Sequence, residues 1–205
     1  MSKVLIAIPC MEKVHTKFMQ SMLDLRKPEG ACYTVVEGTL IYESRNIIAA
    51  NAINAGFDWV AWFDSDMKIP PFALLQLLES GKEFISGLYF TRRPPIKPVV
   101  YKKLWVSGDK ESGAENYFNY PANGIFECQA VGFGCCLTSV SLLKRVGDQY
   151  GAPFQPLYGV GEDMSFCLRA RWIGEKIYCD SRIKCGHMGV QEYNEDYFLR
   201  QEKNR

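Results

Sequence analysis

Two aspartates, Asp64 and Asp66 with Ser65 between them, directly follow the apolar run Trp59 to Phe63. On an extended backbone, side chains two apart point to the same side. The two carboxylates therefore sit together at the carboxyl end of a strand, the edge at which open α/β sheets bind ligands. Paired hard oxygens suit Mg²⁺ or Mn²⁺, ions that keep positions open for water and phosphate oxygens. The same three residues also suit an ordinary Asx-type turn. His187 lies between two glycines in Gly186-His187-Met188-Gly189, read as an exposed turn, where an imidazole would complete a carboxylate metal site. His15, early in an amphipathic segment, reads as a structural histidine.

Gly161-Glu162-Asp163 opens a helix whose core face is Phe166, Cys167, Ala170 and Ile173. Carboxylates at a helix start are favoured by the dipole and by capping. A carboxylate there, at the end of a long Gly/Pro loop, also has the chemistry of a general base. Arg45 and Asn46 follow Glu43-Ser44 at the head of an Ala-rich helix, where a guanidinium and an amide can hold a base, a ribose or a phosphate, or Ser44 can simply cap. Arg92-Arg93-Pro94-Pro95 is a stiff basic loop, suited to an anion or to plain solvation.

The elements that would position these groups alternate. Residues 3–9 read as a buried strand and 14–26 as a helix with Val14, Phe18, Met22 and Leu25 inward. Tyr33 to Val36 is a second strand, and Tyr42 to Ala55 a helix stopped by Gly56. Trp59 to Phe63 is the third strand. Pro70-Pro71 starts a helix with Phe72, Leu75 and Leu78 inward, and Phe84 to Ser86 is strand four. This order predicts a parallel sheet with helices on its faces and right-handed crossovers.

Residues 91–127, broken by Pro94, Pro95, Pro98, Gly108, Gly113, Pro121 and Gly124, read as a loop-rich β-hairpin region. Its aromatic residues read mostly as packing. Gln129 to Thr138 is a buried strand, Ser141 to Val146 a short helix, 147–160 a Gly/Pro/aromatic loop, 162–173 a helix and Lys176 to Cys179 a strand.

Composition narrows the function classes. Twenty-four Lys and Arg against twenty-three Asp and Glu leave a net charge of +1, so no bulk field attracts a polyanion or an acidic membrane. A hydrophobic share of 47% with 23% charged residues excludes a disordered chain. The apolar runs fall well short of the ~18 residues of a membrane span, and residues 2–9 do not form a secretory leader. Eight cysteines without a Cys-x-x-Cys pair predict free buried thiols, a cytoplasmic setting and no zinc site. With no repeat or linker, residues 1–205 are expected to form one domain.

Set in order, these pieces resemble the type A glycosyltransferases, above all the inverting family 2 kind. Three stretches carry the resemblance: Ser44-Arg45-Asn46 heading its Ala-rich helix; Asp58 to Met67 followed by Pro70-Pro71; and Gly161-Glu162-Asp163 through Phe166 and Arg169 to Gly174, Asp180 and His187. It implies a GT-A-like, Rossmann-type three-layer sandwich with a mostly parallel central sheet and a small β-hairpin region. It implies a nucleotide-sugar donor, UDP favoured, over the first three strands, with Pro9, Glu37, Arg45, Asn46, Asp64, Ser65 and Asp66 as donor-binding residues. Mn²⁺ or Mg²⁺ would be held by Asp64, Asp66 and His187. Asp163, with Glu162 beside it, would be the catalytic base. The acceptor, a hydroxyl compound and a nucleic acid only as a modified base, would meet Arg92, Arg93, Gly132 and Trp172.

Arg169-Ala170-Arg171-Trp172 lies inside a helix and does not reproduce the family's Gln/Arg-x-x-Arg-Trp element, which favours transfer of one sugar over polymerisation. A retaining enzyme of the same kind and a non-catalytic nucleotide- or carbohydrate-binding module are the alternatives. A nucleotidyltransferase would carry a Gly-rich phosphate loop after the first strand, whereas Pro9 to Lys13 contains no glycine. A phosphatase with an aspartyl nucleophile would place Gly-Thr where Met67-Lys68 stands.

Overall fold

Seven consecutive apolar or small residues make β1 (Val4–Cys10), and every one of them is buried, as a strand covered on both faces requires. The computed structural model describes residues 2–107, 111–157 and 159–203. Gly108 of the expected hairpin region, Tyr158 of the expected 147–160 loop and the ends of the expected 1–205 span lie outside the described residues. After β1 come α1 (Thr16–Asp24), β2 (Cys32–Glu37), α2 (Ile41–Asn54), β3 (Trp59–Phe63), β4 (Met67–Lys68), α3 (Ala73–Glu79) and β5 (Phe84–Leu88). The hairpin β6 (Val100–Ser107) and β7 (Glu111–Asn116) precedes β8 (Ile125–Cys128), β9 (Ala130–Val131) and β10 (Cys135–Ser139). The chain continues through α4 (Val140–Tyr150), α5 (Glu162–Trp172), β11 (Ile177–Lys184), β12 (Gly186–Met188), β13 (Glu192–Tyr193) and α6 (Glu195–Lys203).

The central sheet corrects the mostly parallel, Rossmann-type expectation. It has seven strands in the order β2-β1-β3-β10-β5-β11-β8. β10 runs antiparallel to both β3 and β5, and β8 runs antiparallel to β11. Two further three-stranded sheets, β13-β12-β4 and β7-β6-β9, have only antiparallel pairs. The fold is a mixed α/β architecture. The expected strand 129–138 is divided into β9 and β10 by Gly132-Phe133-Gly134, and β9 leaves for the hairpin sheet.

Alternation along β1 sends Leu5 and Ala7 to one face and Val4, Ile6 and Ile8 to the other. α2, α4 and α5 cover the first face, where Ile48, Leu143 and Phe166 are buried, while α1 and α3 cover the second through Phe18, Leu74 and Leu77. The inward face of α3 is thus displaced by one residue from the expected Phe72, Leu75 and Leu78. Phe72 precedes the helix and is exposed. Val14 likewise lies outside α1, which starts at Thr16 behind the cap residue His15.

Trp62 shows how the sheet seats its largest side chain. Its indole is fully buried, and its N–H donates to the Thr138 hydroxyl on β10 at 2.8 Å, so no buried donor is left unpaired. Phe133 and Phe154 meet it edge-on at ring-centroid distances of 5.8 and 5.2 Å. Each such pair contributes about 0.5–1.5 kcal/mol beyond its burial. This aromatic block forms the floor beneath the charged groups.

Candidate functional site

The Asp64-Ser65-Asp66 turn continues β3, and its backbone is held by three separate segments. The Asp64 N–H donates to the Gly134 carbonyl at 3.1 Å, the His15 N–H to the Ser65 carbonyl at 2.9 Å and the Met188 N–H to the Asp66 carbonyl at 2.8 Å. Backbone groups at a buried strand end must find partners. Here they come from the segment before β10, the start of α1 and β12, which fixes the turn from three sides.

Each aspartate has its own arginine. Arg45, in the second turn of α2, is only 2% exposed; its Nη2 meets Asp64 Oδ1 at 2.8 Å and its Nε meets Glu162 Oε1 at 3.4 Å. Its guanidinium lies over Phe133 and Trp62, 5.1 and 5.8 Å from the ring centroids. Burial works against the Arg45 charge, but Asp64, Glu162 and Asp163 outweigh it and raise the pKa. The remaining nitrogen, Nη1, is buried without a hydrogen-bond partner among the described residues. Arg45 therefore joins the start of α5 to the end of β3. Ser44 does not cap this helix: α2 begins at Ile41, and the buried Ser44 hydroxyl contacts Thr39 Oγ1 at 2.6 Å.

Asp66 meets Arg92 Nη1 and lies 3.4 Å from His187 Nε2. Burial alone would raise its pKa; the His187 and Arg92 contacts reverse that and hold it below the usual carboxylate value. His187 is not on an exposed turn. It lies in β12, paired with Met67 of β4 and Tyr193 of β13, and its side chain is 17% exposed. The neighbouring glycines serve close approach: a Cβ on Gly189 would come within 3.1 Å of the Arg92 carbonyl oxygen.

Asp163 is half-buried in the first turn of α5, where Oδ1 accepts the Met164 N–H at 2.7 Å. Burial, with Glu162 next to it, pushes its carboxyl up to about 7 against the favourable helix start. A carboxyl at that value is half ionised near neutrality, as a general base requires.

A cleft of about 760 Å³ opens over the turn. Pro9 to Met11 at the end of β1, Lys13 to Thr16 at the start of α1, Thr39, Ile41, Ser44, the Asp64 to Asp66 turn, Arg92, Met188 and Gly189 line it. Of the expected donor residues, Pro9, Asp64, Ser65 and Asp66 are on this wall, and Arg45 stands behind it. Asn46 and Glu37 are not. The Asn46 amide oxygen accepts the Phe154 N–H at 2.9 Å and so pins the 147–160 loop, and Glu37 is exposed at the end of β2 opposite Cys10. Lys13 and His15 were missed. His15 caps α1, its Nδ1 accepting the Lys17 N–H at 3.1 Å, and only the proximity of α1 to strand ends could have signalled a place on the cleft.

The expected acceptor residues are dispersed. Arg92 touches Asp66, while Arg93 is exposed and off the cleft wall. Trp172 ends α5, about 14 Å of helix from Asp163, and packs on Tyr150. Gly132 is buried and has no room for a side chain: a Cβ there would come within 1.9 Å of the Tyr89 hydroxyl, which itself accepts the Gly134 N–H at 3.2 Å. Gly132→Ala should cost about 1–3 kcal/mol by overpacking. Urea unfolding of the variant beside wild type measures this.

Among the described residues no group of three or more His, Cys, Asp or Glu side chains is gathered to hold a metal ion. Asp64, turned onto Arg45, is the expected ligand that stays apart. Asp66 and His187 do converge. His187 Nδ1 contacts the Phe90 carbonyl oxygen at 2.8 Å, a backbone anchor that fixes the ring with Nε2 3.4 Å from Asp66 Oδ2. These are two potential ligands, not the expected three, and the Asp66 oxygen that faces His187 is also held by Arg92.

No protein-family model matches the chain. No curated protein matches it either. Among solved structures, the crystal structure of A197 from STIV is similar, with a TM-score of 0.67 and 17% identity over 91% of this chain and 86% of that one. At that identity the likeness is one of fold. All eight cysteines are free, seven of them buried, and among the described residues no helix is long and apolar enough to cross a membrane.

Proposed function

We propose that the chain is a metal-dependent glycosyltransferase, akin to the inverting family 2 enzymes, that moves one sugar from a nucleotide-sugar donor, UDP favoured, to a hydroxyl acceptor. The observation that carries this reading is the Arg45 junction. It joins Asp64, on the cleft wall, to Glu162 across the sequence, and so ties the start of α5, with the Asp163 carboxyl raised to about 7, to the turn that borders the cleft; Glu162 and Asp163 themselves are not among the residues lining it. Free thiols accord with a cytoplasmic setting.

Asp66 and His187 would hold Mn²⁺ or Mg²⁺. When bound, that ion supplies charge neutralisation for a departing diphosphate. The protein's own groups do the rest. Asp163 takes the proton from the acceptor hydroxyl as the oxygen attacks the anomeric carbon, and the nucleoside diphosphate leaves from the opposite face, which inverts the centre. Glu162, tied to Arg45, keeps α5 in register with the Asp64 turn. Lys13 and the α1 start add positive potential for phosphate oxygens.

A thermal-shift panel of UDP, GDP, dTDP and CDP sugars, with and without Mn²⁺, tests the donor assignment. One nucleotide should raise the melting temperature only with metal, and Asp66→Ala should abolish the rise. No shift with any nucleotide would remove the reading.

A further inference from the structure

β2 closes one end of the central sheet. It pairs with β1 in an unbroken six-residue register, and among the described residues no strand pairs with its other side. An outward row of N–H and C=O groups of this kind is a template for another strand, and edges are ordinarily blunted by shortness, charge, proline or a bulge. The opposite edge strand, β8, follows that rule: it has four residues, and its exposed Glu127 is paired with Lys176. β2 does not. Cys32-Tyr33-Thr34-Val35-Val36 runs without a lysine, a proline or a shift of register up to the single charge at Glu37.

The apolar surface continues beyond the strand. Pairing with Ile6 and Ile8 places Tyr33 and Val35 on the α1 side of the sheet, where they stay 43% and 56% exposed. The Tyr33 hydroxyl donates to the Met22 carbonyl at 3.4 Å, which brings α1 alongside. On that helix Met19 and Leu23, one turn apart, are 49% and 74% exposed. Four large apolar side chains gathered beside one open edge mark an interaction surface. The charges at the two ends of β2 select its occupant. Lys27 Nζ lies over the Tyr33 ring, 5.6 Å from the centroid, near the start of the strand, and Glu37 ends it; both are exposed. A twofold axis through an edge strand runs the second strand antiparallel, so the basic start of each meets the acidic end of the other. With the axis at Val35, Tyr33 and its Lys27 face Glu37 of the second copy, and Val35 faces Val35.

We propose that this face is the contact between two copies of the chain, in which β2 pairs antiparallel with β2 across a twofold axis at Val35 and joins the two seven-stranded sheets into one. The same surface serves on both copies, as a closed dimer requires. Backbone hydrogen bonds satisfy the open edge, and Met19 and Leu23 of the two copies close over the paired strands. Two Lys27–Glu37 pairs, one at each end, hold this register against a slipped one. The contact lies apart from the cleft and does not depend on the donor-site reading.

Sedimentation equilibrium of the full chain over a concentration series is the test. Wild type should dimerise. Val35→Lys sets two lysines face to face on the axis and should be monomeric at concentrations where wild type is dimeric. Glu37→Lys turns two attractions into repulsions and should raise the dimer Kd about 10-fold, and adding Lys27→Glu to it should restore most of the loss, because the exchanged charges again attract. All three positions are exposed, so urea unfolding followed by far-ultraviolet circular dichroism should show each variant folded, which separates a lost contact from a lost fold. A wild-type protein that stays monomeric up to about 100 μM, weaker than a standard-size interface, would overturn the proposal. A dimer indifferent to Val35→Lys, or one weakened by Glu37→Lys and not restored by the exchange, would overturn it as well. Nucleotide binding bears on none of these outcomes, so this contact and the donor site fail separately.

Discussion

Replacement of Asp163 by Asn should lower sugar transfer by about 10²–10⁴-fold, the usual contribution of a positioned general base, with the fold intact. The amide keeps an oxygen for the Met164 N–H, so the start of α5 is not unpaired. On the proposed function, with this carboxyl near 7, the wild-type protein should lose about tenfold in kcat/KM per pH unit below that value and be flat above it. The residual activity of Asp163→Asn should lack that limb.

Stability should respond in the opposite sense. A carboxyl whose folded value is raised from 3.8 to about 7 stabilises the fold fully below its unfolded value, and that stabilisation is lost as pH rises through about 7. Ionised Asp163 is therefore a burden at pH 8, and the Asn variant should unfold there at equal or higher urea concentration. A pH–rate profile unchanged by the substitution would assign the base elsewhere.

Arg45→Met should be the most destabilising single change in the site. Removing one member of a buried charge cluster typically costs 3–5 kcal/mol because its partners are left uncompensated. Asp64 and Glu162 retain side-chain exposures of 30% and 17%, which places the expected cost at about 2–3 kcal/mol. Adding Glu162→Gln to Arg45→Met removes one stranded charge and should recover part of the loss, whereas Arg45→Lys should lie between, having no fork for two carboxylates. Urea unfolding of the four proteins measures this directly. A cost below about 0.5 kcal/mol, the size of an ordinary surface change, would mean that the junction does not hold α5 to the end of β3.

The sequence was most legible where one physical rule dominates. Continuous apolar runs marked β1 and β3, and the polar stop at Asp64 marked the strand end that bears the cleft. Strand direction was not legible: β10 is buried on both faces, so its apolar run has no polar side and reads the same in either direction. In α3, Ala-Leu-Leu-Gln-Leu-Leu contains two overlapping helical series, and the outer one was read as the core. Glycine misled at His187, where it permits close packing of β12 rather than a free turn.

Within the candidate site, residue type and order drew attention to Asp64, Asp66, His187, Glu162 and Asp163. The exchange of partners among them could not. That Arg45 takes Asp64 while Arg92 and His187 share Asp66 depends on loops distant in sequence, as does the arrival of Lys13 and His15 on the cleft wall. Asn46 shows the converse: a residue type suited to a nucleotide is used by the Phe154 backbone.

The most direct measurement is release of free nucleotide from UDP-sugars with Mn²⁺ by wild type, Asp66→Ala and Asp163→Asn, monitored by phosphorus NMR. The account predicts that wild type releases nucleotide from at least one donor, that Asp66→Ala neither binds nor releases it, and that Asp163→Asn binds the donor but releases nucleotide far more slowly. A wild-type protein that binds a donor and never releases nucleotide would contradict catalysis and make the cleft a binding site.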